Sequence, residues 1–364
     1  MALPALTLRA LTATPVDVPM RRPLGTSART IDRASLLLVD LATEEGPTGH
    51  AYAFCYLPSI ARGLVPIVAE LGESLAGLPL NPVDIAQRMK RHFKLPGLAG
   101  PLTMVASSVD TAAWGAMATA AGVPLATLLG AAPRPLPAYN SNGLGIMSPE
   151  AAADEAEALL EGGFRAVKLR LGRGAFEKDL AVVRAVRRRL PASIHLMVDF
   201  NQALAPADAS WQCQALDDEG LYWIEEPTRH DDYAQLSRIA AAVRTPIQIG
   251  ENFTGLEPMA AALAVQACDL VMPDLDRIGG VTGWQRAAGL AEAHHCLVSS
   301  HLFPEVSAHL LMATPGAHWL EYVDWAEPLL VEPLQIVDGM AVLPSTPGNG
   351  IAWDPAAVAR YRLS

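Results

Sequence analysis

Short apolar runs, each closed by a polar or ionisable residue, recur along the last two thirds of the chain. They stand at 138–142, 166–171, 195–200, 221–225, 246–250, 270–273, 296–300 and 318–322. Amphipathic or Ala-rich stretches lie between them, as at 149–161, 176–190, 231–242 and 283–294. Apolar runs of this length read as buried strands, and the stretches between them as helices with one packed face. Eight strands alternating with helices predict a parallel α/β barrel of the TIM type. A doubly wound open sheet is the competing architecture. No GxGxxG follows the first run, which weakens the dinucleotide-binding form of that sheet.

The first ~130 residues have a different rhythm, with strands before helices. Residues 6–18 alternate loosely, 34–42 read as a buried strand, 44–49 (Glu-Glu-Gly-Pro-Thr-Gly) as a turn, and 50–56 as a returning strand. Helical patterns follow at 60–76, 82–93 and 105–121. Pro133, Pro135 and Pro137 then mark a boundary. The expected division is an α+β capping domain over 1–132, a barrel over 133–330, and a C-terminal segment, 331–364, that returns to the capping domain.

The 364 residues suit a large barrel with a smaller domain, and 51% hydrophobic residues supply its core. A net charge of −11 argues against nucleic acid or an anionic membrane as partner. It leaves room for a small anion, because a bound cation reverses the local sign. Cys55, Cys213, Cys268 and Cys296 form no CxxC pair and read as reduced cysteines of a cytoplasmic protein. No apolar run approaches the roughly 20 residues of a membrane span, and the first residues lack the pattern of a signal peptide.

The chemistry stands at the strand ends. The second strand ends in Lys168-Leu-Arg170, the third in Asp199-Phe-Asn201, the fourth in Glu225-Glu226-Pro227 and the fifth in Gly250-Glu251-Asn252. The sixth reaches Asp274, the seventh His301 and the eighth Glu321. In a barrel these ends converge at the mouth, where active sites are built. Asp199, Glu225 and Glu251 make an oxygen-rich set suited to Mg²⁺. Glu226 is an alternative to Glu225, since adjacent strand residues face opposite sides. Lys168 and Arg170, two apart, share a face. An Asp274 that hydrogen-bonds His301 would orient it as a general base. His294, His295, His309 and His318 sit at helix ends and read as packing or capping residues.

These residues carry a family pattern. Phe-Arg-Ala-Val-Lys168, Met-Val-Asp199-Phe-Asn201-Gln, Trp-Ile-Glu225-Glu-Pro-Thr, Gly-Glu251-Asn, Met-Pro-Asp274, Ile-Gly-Gly-Val-Thr-Gly-Trp284, Ser-Ser-His301-Leu-Phe and Ala-His-Trp-Leu-Glu321 resemble the enolase superfamily, mandelate racemase subgroup, and the likeness runs along nearly the whole chain. The resemblance implies an α+β capping domain over a modified (β/α)₇β barrel. It implies Mg²⁺ on Asp199, Glu225 and Glu251, with Asn201 assisting in the substrate site. Lys168 would neutralise the substrate carboxylate, His301 with Asp274 would be a base, and Glu321 would hydrogen-bond the developing enolate. Ser141 matches a substrate-contacting serine. Leu24, Ala28, Ile31, Phe54, Tyr56 and Val323 match an apolar pocket lining, with Arg21, Arg22 and Arg29 in the same loop as Leu24. The resemblance also implies a homo-oligomer, with the octamer as its expected form.

One residue departs from that pattern. The racemase pattern has a second lysine base where this chain has Arg170, although related enzymes carry Arg there, and arginine keeps its proton in water to a pKa above ~12. The expected activity is Mg²⁺-dependent removal of the α-proton of a 2-hydroxy carboxylate. Racemisation of a mandelate-like acid is the first outcome expected, and dehydration of an acid sugar with His301 as main base the second. A non-catalytic ligand-binding barrel is a third possibility, which the metal set and the His301–Asp274 pair oppose. For Glu321 to donate its hydrogen bond, its pKa must be raised.

Overall fold

In the computed structural model, residues 4–172 and 174–364 are described. The chain opens with an antiparallel sheet of β1 (Leu8–Gly25), β2 (Thr30–Thr43) and β3 (Thr48–Phe54), in that order. Helices α1 (Pro58–Leu75), α2 (Pro82–His92), α3 (Pro101–Ala120) and α4 (Leu125–Leu128) follow. Strand β2 reads as continuously apolar because both of its faces are buried. Leu37, Val39 and Leu41 pack on the helices of the capping region, while Leu36 and Leu38 join the main core with Tyr52 and Phe54. The first three helices each begin with proline, whose fixed φ and missing N–H suit a helix start.

Eight parallel strands come next: β4 (Leu136–Asn140), β5 (Ala166–Arg170), β6 (His195–Asp199), β7 (Leu221–Glu225), β8 (Ile247–Ile249), β9 (Leu270–Val271), β10 (Leu297–Val298) and β11 (Leu320–Tyr322). Each pairs with the next from β4 through β10, and β11 pairs with β4. The turn of the ring from β10 to β11 is made by backbone bonds of His318 N to Val298 O (2.8 Å) and Ser300 N to Trp319 O (3.0 Å). An open doubly wound sheet has no such return. Helices α5 (Pro149–Ala158), α6 (Phe176–Arg189), α7 (Pro206–Leu216), α8 (Tyr233–Ala242), α9 (Leu256–Ala264), α10 (Leu275–Ile278), α11 (Gly280–Ala293) and α12 (Pro304–Met312) fill the crossovers.

The tail first adds to the barrel. The hairpin β12 (Gln335–Val337) and β13 (Met340–Val342) adds to the start of β4 at the barrel's opposite end from the strand-end carboxylates. Past the hairpin the tail meets the capping sheet: Asn349 Nδ2 donates to His50 O (2.7 Å), Trp353 Nε1 to Asp40 Oδ1 (2.9 Å) and, after α13 (Pro355–Tyr361), Leu363 N to Pro15 O (2.9 Å). All four cysteines are free. Among the described residues no helix is long and apolar enough to cross a membrane.

Candidate active site

The carboxylates meet where β6, β7 and β8 end. One oxygen each from Asp199, Glu225 and Glu251 lies within 4.8 Å of the others. Lys168, on neighbouring β5, is buried among them. Its Nζ donates to Glu225 Oε1 at 2.8 Å, lies 2.8 Å from Glu321 Oε1 and 3.6 Å from Asp199 Oδ2. Burial alone would lower the Lys168 pKa, but Glu225 and Glu321 raise it well above the ordinary value, so it stays charged. Burial first, with Asp199 and Glu321 adding to it, lifts Glu225 to about 8 despite Lys168.

These groups fit a divalent cation. Three buried carboxylates crowd together against their mutual repulsion, and two further oxygens nearby, Asn201 Oδ1 and Glu226 Oε2, lack a hydrogen-bond partner. A hard cation with oxygen ligands relieves that strain. Glu225, not Glu226, belongs to the cluster. Strand alternation ends at Glu226, whose φ is 38°, and its Oε1 accepts from Asn252 Nδ2 at 2.7 Å. Asn201 and Gln202 also have left-handed backbones, with φ of 44° and 66°. Such conformations gather where a site must be shaped.

His301 Nδ1 lies 2.6 Å from Asp274 Oδ2. Asp274 caps α10, and its Oδ1 accepts from Asp276 N (2.8 Å) and Arg277 N (3.1 Å), so the carboxylate is fixed from both sides. His301 Nε2 is left facing Glu251 Oε2 at 3.3 Å. Burial disfavours the imidazolium, but Glu251, Asp274 and Glu321 overcome this and raise its pKa to about 9.

Glu321 differs from the expectation. Burial raises its pKa, yet Lys168 and His301 outweigh burial and hold it well below the carboxylate range. It accepts from Ser141 Oγ (2.7 Å) and Leu302 N (2.8 Å) besides pairing with Lys168. It is therefore a carboxylate among donors, not a carboxylic acid. Arg170 is also committed. Its Nη1 donates to Ser141 O (3.0 Å) and Gly143 O (2.8 Å), and its Nη2 to Ser141 Oγ (2.9 Å).

Lys168, Arg170, Asp199, Asn201, Glu251, His301 and Glu321 line one cavity of about 270 Å³, closed from the capping side by Leu24, Ala28, Ile31, Phe54 and Tyr56. Ser141 and Val323 are buried but are not among its lining residues, and Ser141 acts on Glu321 and Arg170 instead. Arg21 pairs with Asp324 and Glu327, and Arg22 with Glu155, while Arg29 lines the cavity. Sequence reasoning missed Thr26, Arg277, Asn252, Gln202, Leu302 and Trp325 in the lining. Asn252, Gln202 and Leu302 each adjoin a motif residue. Arg277 and Trp325 lie past a strand end with nothing in their spacing to mark them. A larger groove, about 710 Å³, opens between α2 and α9–α11, shares Arg277, and contains none of the three carboxylates.

Residues 151–357 match the model of the enolase C-terminal domain-like family, and 9–130 match the mandelate racemase / muconate lactonizing enzyme N-terminal domain. The chain belongs to the enolase superfamily. It is 39% identical, with a TM-score of 0.95 and full coverage of both chains, to an enolase from Bradyrhizobium complexed with magnesium and mandelic acid. It is 30% identical to a 3,6-anhydro-alpha-L-galactonate cycloisomerase of Streptomyces coelicolor, over 93% of this chain and 94% of that one. It is 29% identical to the L-talarate/galactarate dehydratase of Salmonella typhimurium, over 88% and 81%. This superfamily member is a magnesium-dependent enzyme, an isomerase or a dehydratase, with an acidic triad that could hold the metal.

Proposed function

We propose that the enzyme removes the α-proton of a 2-hydroxy carboxylate with His301 and then expels a β-hydroxyl, giving a 2-keto acid. The observation that carries this reading is the asymmetry of the cavity. His301 has an orienting carboxylate on Nδ1 and an Nε2 that lies 3.3 Å from Glu251 Oε2 in the cavity lining. Arg170, where the racemase pattern has a second base, spends its guanidinium on two backbone carbonyls and Ser141. A guanidinium so bonded positions neighbours; it has no lone pair to take a proton.

A magnesium ion held by Asp199, Glu225 and Glu251 would supply Lewis-acid stabilisation of the charge that builds on the substrate carboxylate. Lys168 places a buried ammonium beside that carboxylate. Asp274 holds the His301 ring with Nε2 toward the cavity and stabilises the imidazolium once formed. Ser141 and the Leu302 amide fix Glu321, so its carboxylate shares the Lys168 proton with the substrate rather than arriving with its own. The similarity to the talarate/galactarate dehydratase supports elimination.

Racemisation of a mandelate-like acid is the second reading. The apolar capping wall and the mandelic acid in the Bradyrhizobium relative favour it. It needs a base on each face. With Mg²⁺ present, both mandelate enantiomers and a panel of 2,3-dihydroxy acids separate the two. Release of 2-keto acids without inversion of mandelate supports dehydration, and inversion of mandelate overturns it.

A further inference from the structure

The polar groups that line the cavity are largely bonded to one another. Tyr56 OH accepts from Arg277 Nη2 at 3.0 Å, and Arg277 Nη1 donates to Glu251 O (2.7 Å) and Asn252 Oδ1 (2.8 Å). Asn252 Nδ2 donates to Glu226 and Glu251. Thr26 Oγ1 donates to Arg29 O and accepts from the amides of Ala28 and Arg29. A substrate with a polyhydroxylated tail would have to break some of these bonds or leave unpaired the hydroxyls that meet the apolar wall. Each buried, unpaired polar group costs roughly 1–3 kcal/mol.

The remaining wall is apolar and fixed. Phe54 packs edge-on to Tyr56 at a centroid distance of 4.3 Å and against Trp325 at 5.1 Å. Leu24, Ile31 and Leu302 complete it. Behind it, Phe54 N donates to Asp276 Oδ2 at 3.1 Å, so this wall is tied to the helix whose N-cap, Asp274, orients His301. Among the described residues, Arg29, Gln202 Nε2, the Tyr56 hydroxyl and the Trp325 indole N–H line the cavity as donors without an acceptor. Arg29 is exposed, where pairing with a carboxylate contributes little.

We infer that the substrate is a 2,3-dihydroxy carboxylate whose carbon 3 bears an aromatic or branched aliphatic group. This rests on the dehydration reading above. His301 Nε2 takes the proton from carbon 2. The C–H electron pair is first delocalised into the carboxylate as an enolate, then becomes the C2–C3 double bond as the C3–O bond breaks, and the departing hydroxide takes the proton from His301 and leaves as water. The resulting enol tautomerises to the 2-keto acid, with no net oxidation or reduction.

The test uses the full-length enzyme with Mg²⁺ and three probes: the stereoisomers of 3-phenyl-2,3-dihydroxypropanoate, galactarate, and mandelate. The expected result is phenylpyruvate from one stereoisomer, with kcat/KM at least ~100-fold above that for galactarate. Galactarate as the better substrate overturns the apolar substrate class and leaves dehydration standing. Failure of both 3-phenyl-2,3-dihydroxypropanoate and galactarate, with α-proton exchange persisting on mandelate, overturns dehydration and this inference with it. Inversion of mandelate does the same. Inertness toward all three probes overturns the inference as well.

Discussion

Glu321 behaves least as its place at a strand end suggests. As an acid it would donate a hydrogen bond; surrounded by Lys168, Ser141 and the Leu302 amide it accepts three. Residue order cannot reveal this, because the donors come from β5, the end of β4 and the turn after β10. Glu321→Gln would break the Lys168 pair and leave the three metal-directed carboxylates in place. We predict unchanged Mg²⁺ affinity by calorimetry and a kcat lower by about 10²–10³-fold, the size of one lost transition-state contact. Turnover like that of wild type would sink the role given to Glu321. Asp274→Asn should lower kcat by about 10²–10⁴-fold with an unchanged melting temperature, since it removes the anion that orients His301 but retains a helix-capping side chain. Most of the candidate site was legible at this scale, because strand ends in a barrel converge whatever the rest of the chain does. Arg170 was legible as a departure, but its bonds to Ser141 and Gly143 were not.

Elements explain why the site is where it is and why some of it stayed hidden. The eight apolar runs translate into eight strands, shorter than read because β8–β11 keep only two or three residues in regular pairing. The alternation rule fails at Asn201, Gln202 and Glu226, where the backbone turns left-handed and re-aims the side chains. Contact between elements is close where the sequence shows only a glycine. A Cβ on Gly49 of β3 would stand 1.7 Å from Ala112 O of α3. We predict that Gly49→Ala costs at least ~2 kcal/mol, read as a fall of several degrees in melting temperature. A second tie joins α3 to α11, where Asp110 accepts from Thr282 N (2.8 Å) and Oγ1 (2.6 Å). Burial raises Asp110 to about 7 against those bonds. A raised acid favours the folded state while protonated, so its contribution is complete at low pH and is lost as pH rises through 7. Asp110→Asn should therefore narrow the stability difference between pH 5.5 and pH 8, measured by urea unfolding; an unchanged difference would refute the assignment.

For the whole molecule, the barrel fixes the chemistry and the capping sheet fixes the wall of the cavity, so activity depends on both being docked. Barrel topology was legible in the strand–helix rhythm. The C-terminal hairpin's attachment to β4 was not, because an exposed two-stranded hairpin carries no pattern that names its partner. Crowded carboxylates make the metal-free protein strained at its centre. Saturation with Mg²⁺ at about 100 times its Kd should stabilise the fold by about 2.7 kcal/mol. Asp199→Asn should abolish most of that gain in a thermal-shift experiment.

The central claim is that His301 takes the α-proton from one face only. It is tested by following the α-proton of each mandelate enantiomer by NMR in D₂O, with wild type and with His301→Asn. The account predicts Mg²⁺-dependent loss of that signal for a single enantiomer, with retention of configuration and no loss in His301→Asn. Exchange that persists in His301→Asn, or that proceeds equally for both enantiomers, would contradict it.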